Sequence, residues 1–293
     1  MAKSGFVSIV GKPNAGKSTL VNWLVGERLK MVSHKANATR RRSNAIIMHG
    51  DHQIIVIDTP GLHHKEKLLN KFMLKEALKS IEEADVVLFL ADVRDSTQAY
   101  KEFLTLLPNQ IPHLLLVTKI DKVNEDRILA TLQKYAPFAD RYAAIIPVSA
   151  KNNINRGKIL DNIVSLLPEG PYYYDPELLT TEWSREIYRE LIRESLFENL
   201  SDEIPYESDV IIEKIDESEN VDHIKAAIVV ARRSQKGVVI GEGGATIKRI
   251  GIAARRKIEA FSHKRIYLEL FVKHEQNWMN NQEFLREIGY EVE

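Results

Sequence analysis

Six short apolar runs rich in β-branched residues punctuate the first half of the chain: Phe6–Val10, Ala45–Met48, Ile54–Ile57, Val86–Leu90, Leu114–Val117 and Ala144–Val148. Runs of this length without polar alternation predict strands buried on both faces. Between most of them lie longer stretches, Ser18–Glu27, Leu68–Glu82 and Asp126–Tyr135, whose apolar positions recur at helical spacing. Strands alternating with helices predict an α/β domain with a mostly parallel sheet covered on both faces, and ligands then belong at the carboxyl ends of the strands. Three prolines and a glycine between Leu167 and Pro176 break any helix or ladder. This places a first domain at 1–170, a linker at 171–180 and a second domain at 181–293. The second opens on a helix, Glu182–Leu200, with Trp183, Ile187 and Leu191 on one face. Strands follow at Val210–Ile215, Ile224–Ala231 and Ile266–Val272. Before the last strand, Ile247, Ile250, Ala254, Ile258 and Phe261 mark another helix.

Composition narrows the classes. The chain has 293 residues and no cysteine, so disulfide scaffolds, cysteine zinc sites, iron–sulfur clusters and thiol nucleophiles are excluded. No apolar run approaches the roughly 18 residues a bilayer span needs, and Met1–Gly5 lacks a signal peptide's apolar segment; a cytoplasmic protein is expected. Equal numbers of basic and acidic residues hide an uneven layout. Residues 175–222 hold 4 basic against 16 acidic groups, and residues 225–273 hold 12 against 3. A positive block between acidic neighbours is a solvated face or a polyanion site, and charge alone does not decide which.

The first strand runs into Gly11-Lys12-Pro13-Asn14-Ala15-Gly16-Lys17-Ser18-Thr19, which fits the phosphate-loop pattern in its strand-then-helix setting. The glycines let the backbone curl so that several N–H groups of this stretch and the helix N-terminus point at phosphate oxygens, Lys17 supplies a cation to the β and γ phosphates, and the Ser18 hydroxyl reaches Mg²⁺. The third strand ends in Asp58-Thr59-Pro60-Gly61, a carboxylate for the metal and a glycine N–H for the γ-phosphate. After the fifth strand comes Thr118-Lys119-Ile120-Asp121, and after the sixth Ser149-Ala150-Lys151. A carboxylate at Asp121 accepts from both N1–H and the exocyclic amine of guanine, a donor pair adenine lacks, which favours GTP over ATP. Lys119 and Lys151 can cover the base faces with their stems, and the Ala150 N–H can reach the guanine oxygen.

These elements resemble the translation-factor-related GTPases, in which Thr39 matches the switch threonine that binds Mg²⁺. The resemblance implies catalysis by Lys17, Thr39 and Gly61, metal binding by Ser18, Thr39 and Asp58, and GTP/GDP with Mg²⁺ as nucleotide and cofactor. Two departures matter. Thr118 stands where the family usually has Asn, and looser base binding is expected from the shorter side chain. Leu62 follows Gly61 where Ras-like proteins carry a water-positioning glutamine, so slow intrinsic hydrolysis is expected. GTPases with this substitution often use K⁺ near a phosphate-loop asparagine; Asn14 matches, and a hydrogen bond that shapes the loop is its other reading.

In the second domain, Gly241-Glu242-Gly243-Gly244 precedes the basic helix inside the positive block. A Gly-x-x-Gly turn lets a nucleic-acid backbone approach closely and clamps about four nucleotides. Lys248 and Arg255 are seven apart, as are Arg249 and Arg256, so they share one side of the helix; Arg232, Arg233 and Lys236 stand upstream to reach phosphates. This resembles a type II KH domain, although Glu242 puts a negative charge inside the turn. Tyr267 and Phe271 of the last strand are read as packing residues. An α/β P-loop NTPase G domain followed by an α+β type II KH domain resembles the Era family of GTPases over essentially the whole chain. That resemblance implies a monomeric GTPase of small ribosomal subunit assembly that binds the 3′ end of the small-subunit (16S) rRNA and associates peripherally with the membrane. The alternatives are a nucleotide-stabilised RNA-binding scaffold with negligible turnover and a different RNA-processing GTPase. The pair His63-His64 has no third ligand at a metal spacing and reads as solvated loop.

Overall fold

A computed structural model describes residues 1–26, 40, 43–59, 68–108, 111–181, 183–201 and 203–290. Thr39, Gly61, Leu62 and His63-His64 lie outside the described residues. The chain divides into two compact units, with the body of the second built from the residues after Thr181.

The first unit alternates strand and helix as the apolar runs predict: β1 (Ser4–Gly11), α1 (Lys17–Val25), β2 (Ser43–His49), β3 (His52–Asp58), α2 (Leu68–Glu82), β4 (Val86–Asp92), α3 (Gln98–Leu106), β5 (His113–Thr118), α4 (Glu125–Tyr135), β6 (Ala144–Pro147) and α5 (Arg156–Leu166). The sheet order is β2-β3-β1-β4-β5-β6, parallel except for the β2–β3 hairpin, where Ala45 faces Val56 across an antiparallel pair. Every residue of β4 and β5 is buried, which requires cover on both faces. α1 and α5 pack over β3. On the other face Phe89, Leu115 and Val117 meet Ile81 of α2, Tyr100 and Phe103 of α3 and Tyr135 of α4. Parallel strands with right-handed crossovers all end on one rim, so the loops after β1, β3, β5 and β6 gather there.

The segment expected as a linker belongs to this unit. Ile46 N–H donates to Leu179 O at 2.9 Å, Thr180 Oγ1 donates to Asn44 O at 2.6 Å, and Gln53 binds the Tyr173 N–H and Tyr174 O at 2.8 and 2.7 Å. Tyr173 packs on Phe6 at 5.0 Å. The polar strand edge of β2 explains it: unpaired backbone groups attract any extended chain that can reach them.

The second unit contains α6 (Ser184–Asn199), β7 (Ser208–Asp216), β8 (Val221–Val230), α7 (Arg233–Ile240), α8 (Ala245–Ser262), β9 (Arg265–His274) and α9 (Gln282–Glu287). The helix–strand–strand–helix–helix–strand order is the one the resemblance implies. The sheet order is β7-β8-β9; β9 runs parallel to β8 and is an edge. Ile187, Leu191 and Ile192 of α6 and Ile250, Ala254 and Ile258 of α8 form its core with Ile224, Ala226 and Ile228.

Candidate functional site

At the rim of the first sheet, the backbone between β1 and α1 curls through two left-handed residues, Asn14 (φ 62°) and Gly16 (φ 102°). Gly11 is required by contact: a Cβ there would lie 2.7 Å from Leu90 O. Lys17, only 7% exposed, lies along the loop and donates through Nζ to the carbonyls of Gly11 and Lys12 at 3.2 and 3.1 Å. Burial lowers its pKa to about 8, with the Asp58 carboxylate opposing the fall. Asp58 ends β3 beside Ile9 and accepts from Ser18 Oγ at 3.2 Å; Thr59 Oγ1 ties the same strand end to Ile9 O at 2.7 Å. A hydroxyl and a buried carboxylate side by side form an all-oxygen donor pair, which fits Mg²⁺.

A second cluster stands at the ends of β5 and β6. Thr118 Oγ1 donates to Ala15 O of the phosphate loop at 2.8 Å and lies 3.3 Å from Ala91 O. The shorter side chain therefore reaches the loop after all, because β5 delivers it within hydrogen-bond distance. Lys119 is left-handed (φ 60°); its ammonium donates to Asn14 O and pairs with Asp92 at 3.1 Å. Burial pushes the Asp92 carboxyl up, but the Arg94 guanidinium and backbone N–H together with Lys119 overrule it and hold the pKa well below the carboxylate range. Asp121 Oδ1 accepts from Ser149 Oγ at 2.7 Å, and the Asn152 N–H donates to the same hydroxyl at 3.1 Å. That bond fixes one carboxylate oxygen next to Ala150 and Lys151.

Five residues that the sequence reading passed over hold these loops together. Asp92 and Arg94 lock Lys119 from the end of β4. Arg156 donates to Trp23 O and Leu24 O at 2.9 and 2.6 Å, capping the last turn of α1. Trp23 Nε1 donates to Asn153 Oδ1 at 2.8 Å. Asp92 carried a usable signal, a carboxylate at the carboxyl end of a buried strand; the others did not.

In the second unit the turn between α7 and α8 carries positive φ at Gly241, Gly243 and Gly244. At Gly241 a Cβ would stand 2.8 Å from the Thr246 N, so no side chain fits. Glu242, Lys248, Arg249, Arg255 and Arg256 are exposed. Lys248 and Arg255 flank a groove of about 310 Å³ between α8 and the edge strand β9, with Ile252, Tyr267 and Leu270 among its apolar walls; Arg249 and Arg256 are not among its lining residues. Tyr267 is 58% exposed and lies against His223 at 5.1 Å, so it is not the core packing residue expected. Arg233 and Lys236 are exposed, and Arg232 reaches Glu207 at 3.4 Å. Among the described residues no group of three metal-ligating side chains forms, and no helix is long and apolar enough to cross a membrane.

Residues 6–119 match the family described as 50S ribosome-binding GTPase, and residues 191–279 match the KH domain. The chain is 49% identical to GTPase Era of Campylobacter hominis over 286 residues, 98% of this chain and 99% of that one. It is 48% identical to GTPase Era of Campylobacter lari, over 99% of each chain. Among solved structures, an Aquifex aeolicus Era variant bound to GDP·AlF₄⁻ superposes with a TM-score of 0.94 at 32% identity, covering 98% of this chain and 99% of that one. Era in complex with MgGDPNP and nucleotides 1506–1542 of 16S ribosomal RNA does so with a TM-score of 0.95 at 32% identity, covering 99% of each.

Proposed function

Because the chain belongs to the Era family of GTPases, we propose that its first unit binds and hydrolyses GTP at the rim of β1, β3, β5 and β6, and that its second unit binds the 3′ region of 16S rRNA in small-subunit assembly. The observation that carries this reading is the meeting of Lys17, the Ser18–Asp58 pair and the Asp121–Ser149 pair on one sheet rim.

Lys17 holds a positive charge against the β and γ phosphates, and the backbone N–H groups from Asn14 to Thr19 cradle them. Ser18 and Asp58 are the described residues that would hold Mg²⁺, with Thr39 as a third ligand outside the described part. When bound, the ion neutralises charge on the β and γ oxygens. Asp121, oriented by Ser149, accepts from guanine; Lys119 and Lys151 flank the base. By the family resemblance the N–H of Gly61, outside the described residues, senses the γ-phosphate, and the aliphatic Leu62 that follows it cannot orient attacking water. Slow turnover in the free protein follows, with K⁺ beside Asn14 or the RNA supplying the rest.

In the second unit the groove between α8 and β9 offers apolar walls for bases and Lys248 and Arg255 for phosphates, and the glycine turn admits the RNA backbone. Arg249, Arg256, Arg232, Arg233 and Lys236 extend the positive field around it, while Glu242 accepts from a base amine. GTP hydrolysis measured with and without RNA of positions 1506–1542 tests the switch: stimulation is expected, and equal rates would favour a scaffold that barely turns over. Peripheral membrane binding rests on the family resemblance alone, and co-sedimentation with anionic vesicles tests it.

A further inference from the structure

Lys119 is drawn back over the phosphate loop by two holds at once. Its left-handed backbone (φ 60°) is a conformation that costs a lysine and needs contacts to keep it. The stem crosses the loop at Gly16, where a Cβ would lie 4.0 Å from Lys119 Cε. At its end the ammonium donates to Asn14 O and pairs with Asp92 Oδ2 at 3.1 Å.

Asp92 is the fixed end of this tether. It closes β4 opposite Thr118 in parallel register, and the Val93 N–H donates to Thr118 O at 3.0 Å, so the carboxylate and the lysine stand on strand ends tied to each other. Arg94 braces the carboxylate: its backbone N–H and Nε donate to Oδ1 at 3.0 and 2.8 Å, and Nη2 donates to Oδ2 at 2.7 Å. Three bonds from one residue hold the carboxylate in one rotamer, with Oδ2 turned to Lys119. Asp92 is 7% exposed, and away from water its charge attracts an ammonium more strongly.

A lysine stem covers a base face only while its end is anchored. Asn14 O is a neutral acceptor on a loop, whereas Asp92 is a charged acceptor on the sheet, and a charge-assisted bond is about twice as strong as a neutral one. An anchored side chain also has less rotamer freedom to lose when a nucleotide binds.

We propose that Asp92, braced by Arg94, is a positioning residue for guanine nucleotides: it holds the Lys119 stem against the base and thereby slows nucleotide release. It acts through Lys119 rather than on the nucleotide, and the proposal rests on the GTP-binding reading above. Release of a fluorescent GDP from the full chain tests it. Asp92→Asn keeps the shape and removes the charge; it should speed release about tenfold, the loss of one charge-assisted hydrogen bond. It should raise KM for GTP by a similar factor and leave kcat within about twofold, because slow chemistry makes KM follow binding. In a chain that already carries Lys119→Met, which has no ammonium, the same change should alter release by less than about twofold, the near-additive outcome of a lost partner. Arg94→Ala alters a half-exposed side chain and should speed release about threefold, again only where the Lys119 ammonium is present. Parental release rates from Asp92→Asn or from Arg94→Ala overturn the proposal, and so does an equal acceleration with and without the ammonium, which would mark a purely structural role. A parent chain that binds no GDP would instead overturn the GTP-binding reading, a result distinct from failure of the tether alone.

Discussion

Thr118→Val removes one hydroxyl and keeps the side-chain shape. In the parent that hydroxyl donates to Ala15 O at 2.8 Å and has Ala91 O at 3.3 Å as its second neighbour. A hydroxyl has one proton, so the shorter contact carries the bond. Thr118 is 6% exposed and Ala15 2%, and water cannot replace the lost donor without a shift of the loop. A buried carbonyl left unpaired costs about 1–3 kcal/mol. The phosphate loop must hold one shape to grip a nucleotide, so much of that cost should fall on affinity: about 1–2 kcal/mol, a five- to thirtyfold rise in the GDP dissociation constant. Stopped-flow release of a fluorescent GDP measures it, with thermal unfolding of the nucleotide-free chain as the check on folding. Thr118→Asn, which restores a longer donor, should bind at least as tightly as the parent. A valine variant that binds GDP within twofold of the parent would refute the view that Thr118 anchors the loop.

Other perturbations follow from the same contacts. With the Lys17 pKa near 8, and with the charged form the one that binds phosphate, affinity for a non-hydrolysable GTP analogue should fall about fourfold from pH 7 to 8.5; a flat profile would remove Lys17 from phosphate binding. His113, 2% exposed and bonded to Tyr100 at 2.7 Å, is held neutral by burial, and its pKa is lowered to about 4. The unfolded chain takes up that proton near pH 6.5, so stability present above 6.5 is lost as pH falls towards 4, by up to about 3 kcal/mol. Denaturant melts of the parent and His113→Gln should show the variant losing that slope. Gly243→Asp adds a charge where a Cβ meets nothing, whereas Gly241→Asp drives a Cβ into Thr246. The first should lower RNA affinity at only the modest stability cost of a left-handed φ at 243, and the second should lower the melting temperature further; equal melting temperatures for the two variants would contradict the packing at Gly241.

The strands of the first unit were legible because burial on both faces leaves unbroken apolar runs, and β4 and β5 are fully buried. The site residues were legible for a related reason: phosphate and guanine binding draw on backbone curls and strand ends, which leave fixed local spacings. What escaped was set by distant contacts. α3 is nine residues long with two buried positions, Tyr100 and Phe103, too few to show a period. Val238-Val239-Ile240 carries β-branched side chains, yet these residues end a helix, with Val239 buried and Val238 52% exposed. The prolines around 168–176 marked an end of regular structure but not an end of the unit, because the following chain pairs with the edge of β2. The hold of Arg156 on the last turn of α1 spans more than 130 positions, beyond any local pattern.

The most direct test is nucleotide selectivity, read by equilibrium titration of the purified chain with GTP, ATP and XTP in Mg²⁺. The parent should bind GTP and neither of the others, Lys17→Ala should bind none, and Asp121→Asn should exchange GTP for XTP. A chain that ignores GTP, or an Asp121→Asn variant that keeps the parent's preference, would contradict the account at its centre.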